Sequence, residues 1–168
     1  SMPTTLLNVG RKAGFSLLQS AIALAVMMVG ILILVPRMDN IIEDAWRAHV
    51  KSVGSSLQTG VMIFRKAWMT DKNSTLPEGF VMNQYGWPVP QEPDGMSGSG
   101  VTTTLSCEAL WNSLLDIEVP TLTAGDNASA DFRVEVVEGH CRYYHRASGD
   151  RFYIDYSSAD GRVSWNIR

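Results

Sequence analysis

Apolar and polar positions follow three different rhythms along this chain. From Phe15 to Val35, 21 residues pass without one charged side chain. As a helix rising about 1.5 Å per residue, that run spans about 31 Å, the hydrocarbon thickness of a bilayer. Arg11 and Lys12 stand before it and Arg37 is the next charge after it, so the rule that basic residues stay inside predicts a cytoplasmic N-terminus and an exported body. From Asp39 the rhythm becomes helical: Ile42, Ala45, Trp46, Val50, Val53, Leu57, Val61, Phe64 and Trp68 recur at steps of three and four, the spacing of one amphipathic face. Glu43 and Arg47 are placed to pair at i, i+4, and Gly54 and Gly60 weaken the helix locally. The pattern predicts one long helix from Phe15 to about Met69, its first half in lipid and its second half packed on a head. Pro36 removes a backbone donor and predicts a kink or loosening there; two helices broken at Pro36 are the alternative.

Between residues 71 and 106 the punctuation is dense, with Pro77, Gly79, Gly86, Pro88, Pro90, Pro93 and the run Gly95 to Gly100. It reads as loop, with Tyr85 and Trp87 as apolar pins on the core. Cys107 to Leu115 returns to helical spacing through Leu110, Trp111, Leu114 and Leu115, with Ser106 as its cap and Pro120 as its end. The third rhythm alternates. Phe132 to Glu138, Cys141 to His145, Arg151 to Tyr156 and Arg162 to Arg168 are separated by Gly139-His140, Ser148-Gly149-Asp150 and Ala159-Asp160-Gly161. That predicts an antiparallel meander of about four strands, apolar on one face and burying that face against the second half of the long helix. The fold class is therefore α+β.

Composition narrows the picture. Ser1 before Met2 reads as an expression scar. With the apolar run set aside, the chain of 168 residues leaves enough for one small domain. The formal charge is −3, or −5 without Arg11 and Lys12, and no basic cluster supports nucleic-acid binding. Cys107 and Cys141 both lie in the exported part, where disulfides persist. Two cysteines permit one intramolecular pairing, and a loop of 35 residues closed this way contributes about 3–4 kcal/mol in the chain-entropy model.

The apolar run differs from an ordinary secretory signal, which is shorter and ends in a small-x-small site. Here the small residue, Gly14, precedes the run: Arg11-Lys12-Ala13-Gly14-Phe15-Ser16-Leu17-Leu18. This arrangement resembles the class III signal of type IV pilins and type II secretion pseudopilins, and Pro36 falls at mature position 22, where that family often has proline. The resemblance implies cleavage after Gly14 by a prepilin peptidase, methylation of Phe15, and assembly through Phe15, Leu17, Leu18, Gln19 and Pro36. It divides the chain into a leader, 1–14; a transmembrane and polymerisation helix, 15–36; and a periplasmic head, 37–168. One departure stands out: the family usually has Glu at the fifth mature position, where this chain has Gln19. In the family that carboxylate pairs with the terminal amine of a neighbouring subunit. Gln19 accepts a hydrogen bond but cannot neutralise a charge, which points to a minor subunit at a tip or initiating position, or to an amine solvated in another way. A signal anchor that forms no polymer is the alternative.

The layout of long helix, loop, then antiparallel sheet with a disulfide is similar to the pilin fold. Tyr85-Gly86-Trp87-Pro88, Cys107 to Leu115, Cys141-Arg142-Tyr143-Tyr144, Phe152 to Tyr156 and Gly161-Arg162-Val163 resemble minor pilins of the mannose-sensitive haemagglutinin (MSHA) type. The resemblance implies a structural subunit and not an enzyme, with other pilin subunits, the prepilin peptidase, the assembly platform and membrane lipid as partners. It implies residence in the inner membrane before assembly, then in an extracellular pilus or a periplasmic pseudopilus. A type II secretion pseudopilin and a membrane-anchored extracellular binding protein are the other readings.

Other chemistry finds little footing. His140, Cys141 and His145 are close in sequence, but an oxidised Cys141 is no thiolate ligand and no second cluster completes a tetrahedral set, so surface histidines are expected. No serine sits in a nucleophile elbow and no glycine-rich segment cradles a phosphate; no cofactor is implied. Asp155, Ser157, Ser158 and Asp160 offer oxygen ligands for calcium over a short turn, without the twelve-residue loop pattern that marks such sites.

Overall fold

The computed structural model describes residues 16–73, 80–90, 103–115, 119–126 and 129–168. Helix α1, Leu17–Thr70, runs through Pro36 without interruption, so the two-helix alternative is not adopted. The chain divides into two units between Ile41 and Ile42. In the first, no residue from Ser16 to Ile41 is buried.

The second unit is built on the amphipathic half of α1. Val50, Val53, Leu57 and Val61 are buried, while Trp46, Phe64 and Trp68 are half-buried and Ile42 and Ala45 lie exposed. The expected stripe therefore holds in its middle and fades at its first turn. Gly54 and Gly60 have a further role: a Cβ on Gly54 would stand 2.7 Å from Trp165 Cε3, and one on Gly60 would stand 2.4 Å from the Leu114 carbonyl oxygen. Both are places where the helix is approached too closely for any side chain.

Two short strands, β1 (Phe80–Met82) and β2 (Pro88–Pro90), form an antiparallel hairpin inside the segment expected to be loop. Asn83 sets its turn. The Asn83 side-chain Oδ1 accepts from Tyr85 N at 3.0 Å and Trp87 N at 2.9 Å, while Nδ2 donates to Ser158 O at 2.8 Å. Gly86 turns at φ +80°, its Cα against the Trp68 ring. Of the two expected pins, Trp87 packs on the core beneath the Arg65 guanidinium, 3.6 Å from its ring centroid. Tyr85 is 63% exposed at the turn and pins nothing.

Helix α2, Thr104–Leu114, starts one turn earlier than expected. Its N-cap is Thr103, and Ser106 is the third residue of a capping box in which each side chain accepts from the other's backbone. The cysteine pair is a disulfide with Cα atoms 5.6 Å apart, tying α2 to the sheet.

The sheet has five strands in the order β3-β4-β5-β6-β7: Leu122–Thr123, Phe132–Val137, His140–His145, Tyr153–Ser157 and Arg162–Asn166. The last four are the expected meander, all antiparallel. The added strand β3 pairs parallel with β4, held by Thr121 and Asp131. Asp131 Oδ2 accepts from Thr121 N and Oγ1 at 3.0 Å each, and Asp131 N donates to Thr121 Oγ1 at 2.9 Å. Glu138 and Gly139, both at positive φ, close β4–β5 as a two-residue turn beyond the Val137–His140 pair. Phe132, Val134, Cys141, Tyr143, Ile154 and Tyr156 point inward and meet α1 and α2.

Candidate functional site

The chain's most distinctive surface is the first half of α1. Leu17 is 91% exposed, and Leu18, Ile22, Leu24, Val26, Met27, Ile31, Leu32, Ile33 and Leu34 are all more than half exposed. Leaving one such side chain in water costs about 1.5–3 kcal/mol relative to burial. Among the described residues α1 is the one helix long and apolar enough to cross a membrane. In hydrocarbon its backbone groups are already satisfied within the helix.

Its start is set locally. Ser16 Oγ accepts from Gln19 N at 3.2 Å and Gln19 Oε1 accepts from Ser16 N at 3.3 Å, a reciprocal box that serves two of the helix's orphan donors. Gln19 thus has a structural task that the sequence reading did not give it, although the Ser-x-x-Gln spacing was there to be read. Leu17 and Leu18 follow with their side chains exposed, and Pro36 lies inside the same helix. Gly14 and Phe15, where the sequence predicts cleavage and methylation, lie outside the described residues.

On the sheet, strand alternation sorts the other candidates. His140 and His145 are five residues apart and so face opposite sides; His140 is exposed and His145 is buried. The expectation of two surface histidines is therefore corrected at His145, which the inward register of β5 carries under α1. Cys141 shares the buried face of His145, but its sulfur is bonded to Cys107. Of the candidate calcium ligands, the two aspartates have protein partners. Asp155 takes a bidentate guanidinium from Arg142, at 2.7 Å and 2.8 Å, and Asp160 Oδ1 accepts from Arg162 N at 3.1 Å. The hydrogen bond to Asp155 outweighs burial and raises the Arg142 pKa, so the Asp155 charge is already met by a cation. Among the described residues no group of three or more His, Cys, Asp or Glu side chains is arranged to hold a metal ion.

The outer face of the sheet carries a polar groove of about 270 Å³ lined by Glu138, His140, Arg142, Asp155, Asp160 and Arg162 among others. Beside it, Arg142 lies 4.2 Å from the Tyr153 ring and Arg133 lies 4.5 Å from the Tyr144 ring. These stacked cations and rings serve one another across the strands. A shallow groove of about 370 Å³ runs along α1 past Gln58, Thr59, Met62, Ile63 and Lys66. Inside the sheet, Tyr143 Oη donates to Cys107 O at 2.8 Å and Tyr156 Oη donates to Pro88 O. Burial raises both phenol pKa values.

Comparison of the chain with family models, with curated proteins and with solved structures finds no match.

Proposed function

We propose that this chain is a minor pilin-like structural subunit of a type IV pilus of the MSHA kind. It is cleaved after Gly14, methylated on Phe15 and assembled through its N-terminal helix. The observation that carries this reading is the apolar stretch from Leu17 to Val35, in which no residue is buried, preceded by Arg11-Lys12-Ala13-Gly14-Phe15-Ser16. In the inner membrane that face meets lipid; in a fibre it meets equivalent helices. The disulfide between Cys107 and Cys141 fits a head that lives outside the reducing cytoplasm. No catalytic role is assigned to any residue.

The test is fractionation of cells that carry the assembly machinery. The chain is expected in fibres sheared from the cell surface, together with other pilins, and absent from them when the prepilin peptidase is deleted. Retention in the envelope with the peptidase intact would contradict a pilus subunit and favour the pseudopilin. The polar groove on the sheet favours a second reading, a membrane-anchored binding protein facing outward. In that case the chain stays in the membrane with residues 1–14 still attached.

A further inference from the structure

One cluster belongs neither to the apolar run nor to the disulfide staple. His145 on β5 is 4% exposed, and its Nδ1 meets no hydrogen-bond partner among the described residues. Rings close around it: Phe132 at 5.5 Å, His49 of α1 at 5.7 Å, Trp46 of α1 at 6.1 Å, and Phe152 stacked at 6.5 Å. A neutral imidazole tolerates this nest, whereas a buried cation there requires an anion.

The nearby carboxylates already have other partners. From α1, Glu43 Oε1 is held by Arg47 at 2.6 Å and by Arg151 at 3.7 Å, and Asp44 takes Arg47 at 3.3 Å. Both Arg47 and Arg151 lie over the Phe152 ring, adding positive charge on that side. From the turn after β5, Asp150 Oδ2 is held by Arg133 at 3.1 Å and Arg146 at 3.6 Å, two cations against one carboxylate, while its buried Oδ1 meets no hydrogen-bond partner among the described residues. Asp131, ahead of β4, favours a proton on His145, but its Oδ2 is taken by Thr121. His49, exposed on α1, faces His145 at 5.7 Å between ring centroids and disfavours a proton there.

We infer that His145 is an acid-sensitive latch: protonation at mildly acid pH weakens the seat of the Ile42–Thr70 half of α1 on the sheet. Burial first, then His49, lowers the His145 pKa, against the pull of Asp131. A histidine depressed in the folded state leaves stability intact above its unfolded value of about 6.5. Stability is lost as pH falls below that value, because the unfolded chain takes up the proton first. The inference rests on the second unit alone and is independent of the pilin reading.

The experiment uses the full chain in detergent micelles. Its thermal midpoint is expected to drop by about 2–5 °C from pH 7.5 to pH 5.5, and His145→Gln is expected to remove most of that drop. Equal changes in the two proteins, including no change in either, would overturn the latch. If His145→Gln does not fold, NMR titration of the wild-type imidazole decides: a midpoint on the acid side of free histidine supports the inference, and one at or above it overturns it.

Discussion

Gly54 and Gly60 invert the usual lesson about glycine in a helix. By propensity alone, alanine at either position would stabilise α1 by about 1 kcal/mol. Yet a Cβ would land 2.7 Å from the Trp165 ring or 2.4 Å from the Leu114 carbonyl oxygen, and such overpacking costs about 1–3 kcal/mol. Gly54→Ala and Gly60→Ala are therefore expected to lower the urea midpoint, Gly60→Ala more, since a backbone carbonyl yields less than a ring. Gly30, with nothing within 4 Å of its would-be Cβ, is the control and is expected to accept alanine without loss. The buried phenols give a prediction in pH. Burial raises the pKa of Tyr143 and Tyr156, so their stabilising contribution is full below the unfolded value of about 10 and fades as pH climbs above it. Replacing both by Phe removes the hydrogen bonds to the carbonyls of Cys107 and Pro88, at about 0.5–1.5 kcal/mol each. A chemical-unfolding series is expected to show the double variant weaker at pH 8 but flatter than wild type between pH 9 and pH 11.

The start of α1 joins a local device to the proposed assembly. Because Ser16 and Gln19 cap each other, Gln19→Ala removes half of the box and is expected to fray the first turn, at a cost of about 0.5–2 kcal/mol. Gln19→Glu keeps the box and restores the carboxylate, so it is expected to keep the helical content by circular dichroism and to raise incorporation inside fibres. Unchanged incorporation would remove the missing charge as the reason for a tip or initiating place. Long elements were legible in the sequence because period shows over many residues: α1 needed only its charge-free run and its three-four stripe, and β4 to β7 alternate plainly. The hairpin β1–β2 escaped because strands of three residues, one of them bounded by Pro88 and Pro90, show no period, and because the Asn83 side chain shapes the turn. Strand β3 has two residues and owes its parallel pairing to Thr121 and Asp131, ten positions apart. The burial of His145 was hidden for another reason: alternation in β5 shows that His140 and His145 part company, but not which of them α1 covers.

For the whole molecule, the structure establishes an α+β chain: one 54-residue helix, unburied from Leu17 to Ile41, and a disulfide-linked head on a five-stranded sheet. The functional reading adds one claim, that the apolar helix is kept after processing and used for assembly. Co-expression with a prepilin peptidase, followed by intact-mass and N-terminal analysis of the membrane-extracted chain, addresses it directly. The account predicts a product that begins at Phe15, carries one N-methyl group and retains everything through Arg168. A soluble product that begins beyond Val35, or a chain whose first 14 residues survive in the presence of active peptidase, would contradict it.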